Sequence, residues 1–353
     1  MPETPAEKRE KLSRWLQTAL ELEFATIPPY LTALLSIKLP ANREAAELIR
    51  SVMIEEMLHF ALVANIINAV GGTPTLDETT LPHYPLQMKF EGAPFKGREF
   101  PINLEPFSAA AIATFMKIEQ PEERLKRPAT FSVTFEVPAL TIGEFYRRIL
   151  ALLKELDAEL PGKLFVGDPA RQIHKDFYWS GGGGVVAVSD LASATQAIDL
   201  VISQGEGGWT RAQGAASTGF GSYLDMGHYY RFSEIHYARR YRPEDDPDAA
   251  PTGDPIAIDY AAAYPVAINP KASDYGAGTE LAALNDAFNM RYTDMLLQLR
   301  EAIGGSPKAL YTAIMNGMHA LTPIAHEMMK LPLEAGDGRV GCPSFDWLEA
   351  RGD

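Results

Sequence analysis

Apolar residues recur every three or four positions along most of the chain, which is the spacing of amphipathic helices. This pattern predicts helices over 8–38, 43–70, 141–160, 190–206, 222–240, 279–304 and 306–331. A shorter helix is expected within 107–127, and the alternation in TFSVTFEV predicts one strand over 130–137. Pro28 and Pro29 put the continuity of the first helix in question, because an interior proline costs about 3 kcal/mol. The predicted fold class is mostly α: a four-helix bundle with long loop insertions and additional C-terminal helices.

Long irregular stretches separate these helices and divide the chain into two regions. Residues 1–242 are expected to form the bundle, with 73–140 and 161–190 as inserted loops. Residues 243–278 are rich in Pro, Asp and Ala and lack periodicity, which predicts a linking or wrapping segment. The region 243–353 is therefore predicted to be a C-terminal extension whose two helices pack on the bundle.

Composition and net charge exclude some classes of binding partner. The chain has 46% hydrophobic and 22% charged residues, as globular proteins do, and its net charge is 32 − 46 = −14. This charge disfavours nucleic acid and anionic membrane surfaces. The single cysteine, Cys342, excludes an intrachain disulfide, and the N-terminal residues lack the apolar core of a signal peptide. We expect a cytoplasmic protein with no membrane or nucleic-acid partner; homo-oligomerisation is left open.

The first candidate for chemistry is a carboxylate on the apolar face of the first helix. Glu23 falls within the stripe that contains Leu16, Ala19 and Leu22. A buried ionised carboxylate costs several kcal/mol unless it is paired or bound to a metal. Glu23 therefore needs a partner from another helix.

The second helix carries Glu56 and His59 within its apolar face, with Glu55 at the edge. Glu-x-x-His places a carboxylate and an imidazole one turn apart, and bundle di-metal sites are built from this unit. The structural alternative is a hydrogen-bonded core histidine beside exposed glutamates. The motif is short, so it needs support from other helices.

Two later helices supply similar residues. Glu206 lies at the end of the helix over 190–206, beside its apolar face, and the alternative is a solvated loop glutamate. Asp225 and His228 share a face of the next helix and form a second carboxylate-x-x-His unit. The alternative for this pair is a helix N-cap and a surface histidine.

The order of the six residues is more specific than any one of them. A single Glu, then Glu-x-x-His, then a single Glu, then carboxylate-x-x-His is the ligand order of di-iron and di-manganese carboxylate bundles. Four carboxylates would offset two divalent cations, and the mixed nitrogen and oxygen donors suit iron, with manganese as the alternative. The predicted metal ligands are Glu23, Glu56, His59, Glu206, Asp225 and His228.

Several other side chains remain open. Tyr30, Tyr146 and Arg231 are candidates for catalytic residues that orient substrate or stabilise charge. Glu144 points away from the apolar face of its helix, and Thr-x-x-Glu there is typical of a capping box, so we favour a structural role for it. Glu55 is left undecided as a ligand. The two histidines of the last predicted helix, His319 and His326, are expected at the surface because they lie off its apolar stripe.

Five segments resemble one known family. They are LELEFATIPPYLTALLSI (20–37), EEMLHFALVANIINAVGGTP (55–74), TIGEFY (141–146), QGEG (204–207) and HYYRFSEI (228–235). They are similar to the ferritin-like family named for iminophenyl-pyruvate dimer synthase, whose members occur in bisindole pigment pathways such as those of violacein and rebeccamycin. The resemblance covers about residues 12 to 240 and implies a ferritin-like four-helix bundle.

The resemblance also carries expectations for the site. The matching motifs contain five residues that the resemblance implies as metal ligands: Glu23, Glu56, His59, Glu206 and His228. Asp225 stands where the family has a glutamate, so this ligand is one methylene shorter than the resemblance implies, and the match at TIGEFY keeps Glu144 open as a ligand. The activity that names the family is the oxidative coupling of two imines derived from aromatic amino acids.

These observations predict a metal-dependent oxidoreductase that acts on a small substrate, with an aromatic amino-acid derivative as the leading class. The alternatives are an iron-binding ferroxidase and a non-catalytic helical bundle. An enzyme needs access to its metals, so we expect at least one of the loops 73–106 and 207–221 to line a cavity at the site. The expected lining residues are Trp209, Phe220, Tyr84 and His83.

Overall fold

The computed structural model describes residues 3–87, 100–121, 141–178, 182–208, 226–333 and 336–348. The helices are α1 (Pro5–Ser36), α2 (Arg43–Ala69), α3 (Ala109–Ile118), α4 (Ile142–Glu159), α5 (Leu191–Gly205), α6 (His228–Tyr237), α7 (Glu280–Ile303), α8 (Ala309–Thr312) and α9 (His319–Met328). Strands β1 (Leu86–Gln87) and β2 (Pro101–Ile102) pair antiparallel. The mostly helical class is confirmed, whereas the strand predicted over 130–137 lies outside the described residues.

Helix α1 continues through its two internal prolines. Thr4 and Glu7 begin it with a capping box, and the helix then runs without interruption past Pro28 and Pro29. Pro29 has no N–H to donate to the carbonyl of Ala25, four residues earlier. The hydroxyl of Tyr84 donates to that carbonyl instead, at 2.7 Å. A side chain from the segment after α2 thus replaces the lost backbone hydrogen bond, a compensation that the helix sequence cannot reveal.

The bundle is formed around α1 and α2, which pack along each other. Helix α4 packs on α1 and α5, while α6 packs on α2 and α3. Their apolar faces share one hydrophobic core with residues of α7 and α9, such as Leu296 and Leu321. Helices α7 and α9 thus contribute to this core, and the division of the chain at residue 242 into bundle and C-terminal extension stays a prediction.

Helix α2 is the most central element. It is the one described helix that is long and apolar enough, by length and composition, to cross a membrane. However, 89% of its most apolar window is buried inside the protein, as in a core helix. The burial of α2 is also what brings its polar residues into contact with the surrounding helices.

Two helices differ from their predicted bounds. Helix α6 begins at His228 rather than at 222, with Gly227 as its N-cap. The single helix predicted over 306–331 is instead α8 and α9 joined by a π-helical turn, Ala313–Met318. Gly317 in this turn lies against α7, where a Cβ would meet Cγ of Met295 at 2.6 Å. Close contact between the two helices therefore requires glycine at that position.

Candidate metal centre

Three predicted ligands from α1 and α2 meet inside the bundle. Nδ1 of His59 lies 3.3 Å from Oε2 of Glu23 and 3.6 Å from Oε1 of Glu56. One donor atom from each residue lies within 4.8 Å of the others, and all three side chains are buried. The Glu-x-x-His spacing thus directs both α2 donors toward α1, where Glu23 contacts His59.

A second group of three lies beside the first. It contains Glu56 again, with His228 from the start of α6 and Glu119 from the C-cap of α3. Nδ1 of His228 lies 2.9 Å from Oε1 of Glu56 and 3.4 Å from Oε2 of Glu119. Glu56 therefore belongs to both groups of donors.

Both histidines are held by their outer nitrogens. Nε2 of His59 lies 2.8 Å from Oε1 of Gln204, and Nε2 of His228 lies 2.9 Å from Oε2 of Glu55. Arg231 in turn contacts both oxygens of Glu55, at 3.0 and 2.9 Å. Metal-bound histidines characteristically have such a partner on the second ring nitrogen, because it fixes the tautomer and the ring orientation. Both Nδ1 atoms are thereby directed toward the carboxylates.

Two buried tyrosines hold the outer carboxylates. The hydroxyl of Tyr146 donates to Glu23, and that of Tyr30 donates to Glu119. Burial and the charges of the neighbouring glutamates raise the pKa of both phenols well above the usual value. The phenols therefore stay protonated and act as hydrogen-bond donors. Two of the three predicted catalytic side chains thus contact the carboxylates of the cluster, and the third, Arg231, contacts Glu55.

Protonation partly offsets the negative charge of the metal-free cluster. Burial, with the charges of Glu119 and Glu23, raises the pKa of Glu56 from 4.5 to about 7. Burial opposes protonation of the histidines, but the nearby carboxylates outweigh it, Glu23 for His59 and Glu119 with Glu55 and Glu56 for His228, so both pKa values rise. The cluster therefore favours bound positive charge.

The donor set fits two divalent cations. Four carboxylates are buried here, those of Glu23, Glu55, Glu56 and Glu119, while the buried guanidinium of Arg231 pairs with Glu55. Such an excess of buried negative charge is costly without cations. In addition, buried Nδ1 of His228 has no hydrogen-bond partner among the described residues, although it lies near the carboxylates of Glu56 and Glu119. An imidazole nitrogen that has no hydrogen-bond partner and lies among carboxylates is suited to bind a metal ion.

Glu206 lies near the cluster but is engaged elsewhere. Its Oε2 lies 2.7 Å from Nη2 of Arg147 on the adjacent α4. Its carboxyl group packs over Gly143, where a Cβ would come within 2.4 Å of both oxygens. Glu206 still lines the small cavity beside Glu23, so its role as a ligand stays a prediction.

The other sequence candidates have separate positions. The backbone N–H of Glu144 donates to Thr141, the N-cap of α4, and the Glu144 carboxylate pairs with Arg148 at 2.8 Å. Glu55 contacts His228 from outside the cluster. Asp225 lies outside the described residues, so its predicted role has no structural description.

The sequence interpretation missed Glu119. A signal was available, because Glu119 follows Ile112 by seven residues and Phe115 by four, which extends the apolar stripe of α3. The predicted helix within 107–127 had no defined end, so this carboxylate was not assigned to a face. In the folded chain α3 packs on α6, which places Glu119 opposite His228.

The cavity beside the cluster is small. Its volume is about 20 Å³, room for roughly one water molecule, and it is lined by the cluster and by residues such as Ile118, Gln120 and Ile142. Two of the residues expected to line it do not: Tyr84 is buried against α1, and His83 is exposed. Trp209 and Phe220, the other two, lie outside the described residues.

Comparison with known proteins agrees with this geometry. A ferritin-like family model matches residues 16–237, which extend from α1 to the end of α6. The chain is 26% identical to dichlorochromopyrrolate synthase of Lentzea aerocolonigenes over 403 aligned residues. The alignment includes 97% of this chain but 36% of the relative, so the chain spans about a third of that protein's length.

A solved structure shows the same fold. A ferritin-like protein from Caulobacter vibrioides superposes with a TM-score of 0.61 at 24% identity, covering 95% of this chain and 98% of that chain. The ferritin-like resemblance found in the sequence is thus confirmed, and the family match covers more than half of the chain. This chain belongs to the ferritin-like family.

Proposed function

We propose that this protein is a metal-dependent oxidoreductase with two metal ions at the cluster, iron being the leading metal and manganese the alternative. The observation that carries the proposal is that Glu56 belongs to both groups of donors. One ion would bind between Glu23 and His59, and the other between Glu119 and His228. Such a mixed nitrogen and oxygen set is typical of iron and manganese sites.

The protein's own residues would prepare this centre for chemistry. Tyr146 and Tyr30 orient the outer carboxylates, while Arg231 holds Glu55 against His228. The bound metals would supply two-electron oxidation of an organic substrate, with dioxygen or peroxide as the oxidant. The buried surroundings exclude bulk water, which strengthens the electrostatic interactions within the cluster.

The relative supports an oxidative biosynthetic role. Dichlorochromopyrrolate synthase is named for making a product, not for storing metal. We therefore propose a small-molecule substrate, with an aromatic amino-acid derivative as the leading class. The cytoplasm remains the proposed location.

The test is metal content in a matched pair of variants. The protein is loaded anaerobically with Fe²⁺, desalted and analysed for metal and for oxidation of iron by air. We expect about two ions per chain in the wild type. Glu56→Gln removes the shared donor and is expected to retain less than one ion per chain.

Glu105→Gln serves as the control, because Glu105 is also a buried carboxylate but lies outside the cluster. It is expected to keep both ions. A wild type that binds no metal, or a Glu56→Gln variant as rich in metal as Glu105→Gln, would contradict the proposal. Stoichiometric metal without reaction with oxidant would leave binding intact and reject the redox role.

A further inference from the structure

A second, much larger cavity lies on the other side of α1 and α2. Its volume is about 720 Å³, and it lies between these two helices and the segment from α8 to α9. It shares no lining residue with the cavity at the metal cluster. Aliphatic and thioether side chains form most of its walls, among them Leu31, Leu35, Met53, Met57, Ile314 and Met318. We refer to this cavity as the α1–α9 groove.

The charged residues of the α1–α9 groove are all basic. Lys38, Arg50 and Lys330 line it, and no Asp or Glu does so among the described residues. The chain as a whole has 46 acidic and 32 basic residues, so this local excess runs against the overall charge. The groove thus combines an apolar interior with positive charge.

Arg50 is the most informative of these cations. It is half-buried on α2, and within the described part of the chain no hydrogen bond or ion pair engages it. The other two have partners: Nζ of Lys38 lies 4.9 Å from the centre of the Tyr264 ring, and Lys330 pairs with Glu327 at 2.7 Å. A partly desolvated guanidinium without an anion is suited to bidentate binding of a carboxylate.

The opposite wall adds polar groups in a line. His319, Thr322 and His326 lie on one face of α9 and border the groove; His319 is exposed, as predicted, and His326 is half-buried. Neither histidine has a hydrogen-bond partner among the described residues. The wall begins in the π-helical turn, and such turns occur frequently at functional sites.

We propose that the α1–α9 groove binds an apolar molecule that carries a carboxylate. The apolar body would pack between α1, α2 and the π-helical turn, and the carboxylate would pair with Arg50. The volume is in the range of small-molecule sites, which are mostly apolar with a few polar groups that fix orientation. This inference does not depend on the proposed function, because the two cavities are separate.

The test uses dodecanoate as the probe and the full metal-loaded chain in isothermal titration calorimetry. We expect one dodecanoate per chain, and binding of dodecyltrimethylammonium, which has the same tail and the opposite charge, at least tenfold weaker. Arg50→Gln is expected to weaken dodecanoate binding at least tenfold, equivalent to about 1.4 kcal/mol. Arg43→Gln is the control, because Arg43 is an exposed basic residue of the same helix that does not line the groove.

A second variant, Met57→Glu, places a carboxylate in the wall of the groove and is expected to abolish binding. Metal content should stay unchanged in every variant, which separates a failure here from a failure of the metal centre. Three results would overturn the proposal: no dodecanoate binding, equal binding of both probes, or equal affinity in Arg50→Gln and Arg43→Gln. Sedimentation could instead show a dimer that Met57→Glu disrupts and that dodecanoate does not affect. That result would assign the groove to contact with a second copy of the chain.

Discussion

The two halves of the metal centre are built alike but differ in one partner. In each half a histidine directs Nδ1 inward, and a tyrosine holds the outer carboxylate. The difference is at the outer nitrogen: His59 meets the neutral amide of Gln204, whereas His228 meets the carboxylate of Glu55. An anionic partner raises the basicity of an imidazole more than a neutral one. The two otherwise similar donor sets therefore differ in the charge of the group that holds the histidine.

The largest effect is expected from removing the charge on the His228 side. Glu55→Gln leaves buried Arg231 without its carboxylate, and breaking a buried ion pair costs about 3–5 kcal/mol. Gln204→Ala on the other side loses two neutral hydrogen bonds, to His59 and to the carbonyl of Gly182, and is expected to cost about 2 kcal/mol. Urea unfolding of both variants measures the contrast. Equal losses of unfolding free energy would show that the two sides are not different in charge.

Removing each histidine should separate the two halves. His59→Ala and His228→Ala are each expected to lose about one metal ion per chain. Each should lower the stability of the metal-loaded protein by about 3 kcal/mol more than that of the metal-free protein, since bound metal stabilises the native state by linkage. Elemental analysis and thermal unfolding with and without metal check this. Equal destabilisation of both forms would point to a structural hydrogen-bond network.

The two tyrosines give a smaller, symmetric test. Tyr146→Phe and Tyr30→Phe each remove a hydrogen bond to a carboxylate, and such bonds contribute about 1.5–3 kcal/mol. We expect each variant to retain both metals but to bind them more weakly, as measured by competition with a chelator. Tyr84→Phe is a matched control, since that buried hydroxyl donates to a backbone carbonyl instead. Weaker metal binding in the control as well would assign the effect to packing.

The smallest expected effect is a difference in the pH dependence of stability between the metal-free and the metal-loaded protein. The pKa of Glu56 rises from 4.5 to about 7, and the pKa values of both histidines rise from 6.5. The folded metal-free protein therefore binds more protons than the unfolded chain, so its stability falls as pH rises from about 5 through 7 and beyond. Metal needs these groups deprotonated, so metal affinity rises over the same range. Thermal unfolding of both forms across pH 5 to 8 measures the opposing trends.

The sequence predicted residues whose neighbours lie on the same helix better than residues that depend on another element. Glu56 and His59 could be placed together because three residues of helix bring them to one face. The pairing of Glu206 with Arg147 depends on how α4 packs on α5, which periodicity does not determine. Glu119 was missed for a related reason, because its significance depends on the contact of α3 with α6.

The unbroken course of α1 has a consequence for how the chain folds. The prolines lie between Glu23, in one half of the centre, and Tyr30, which serves the other. The hydroxyl that completes the helix there belongs to Tyr84, 59 residues after Ala25 in the chain. Completion of this helix thus depends on a contact with a residue that is distant in the sequence. Closing the loop between Ala25 and Tyr84 carries an entropic cost. We expect the two halves of the centre to reach their final spacing only after the segment that carries Tyr84 has docked on the helix.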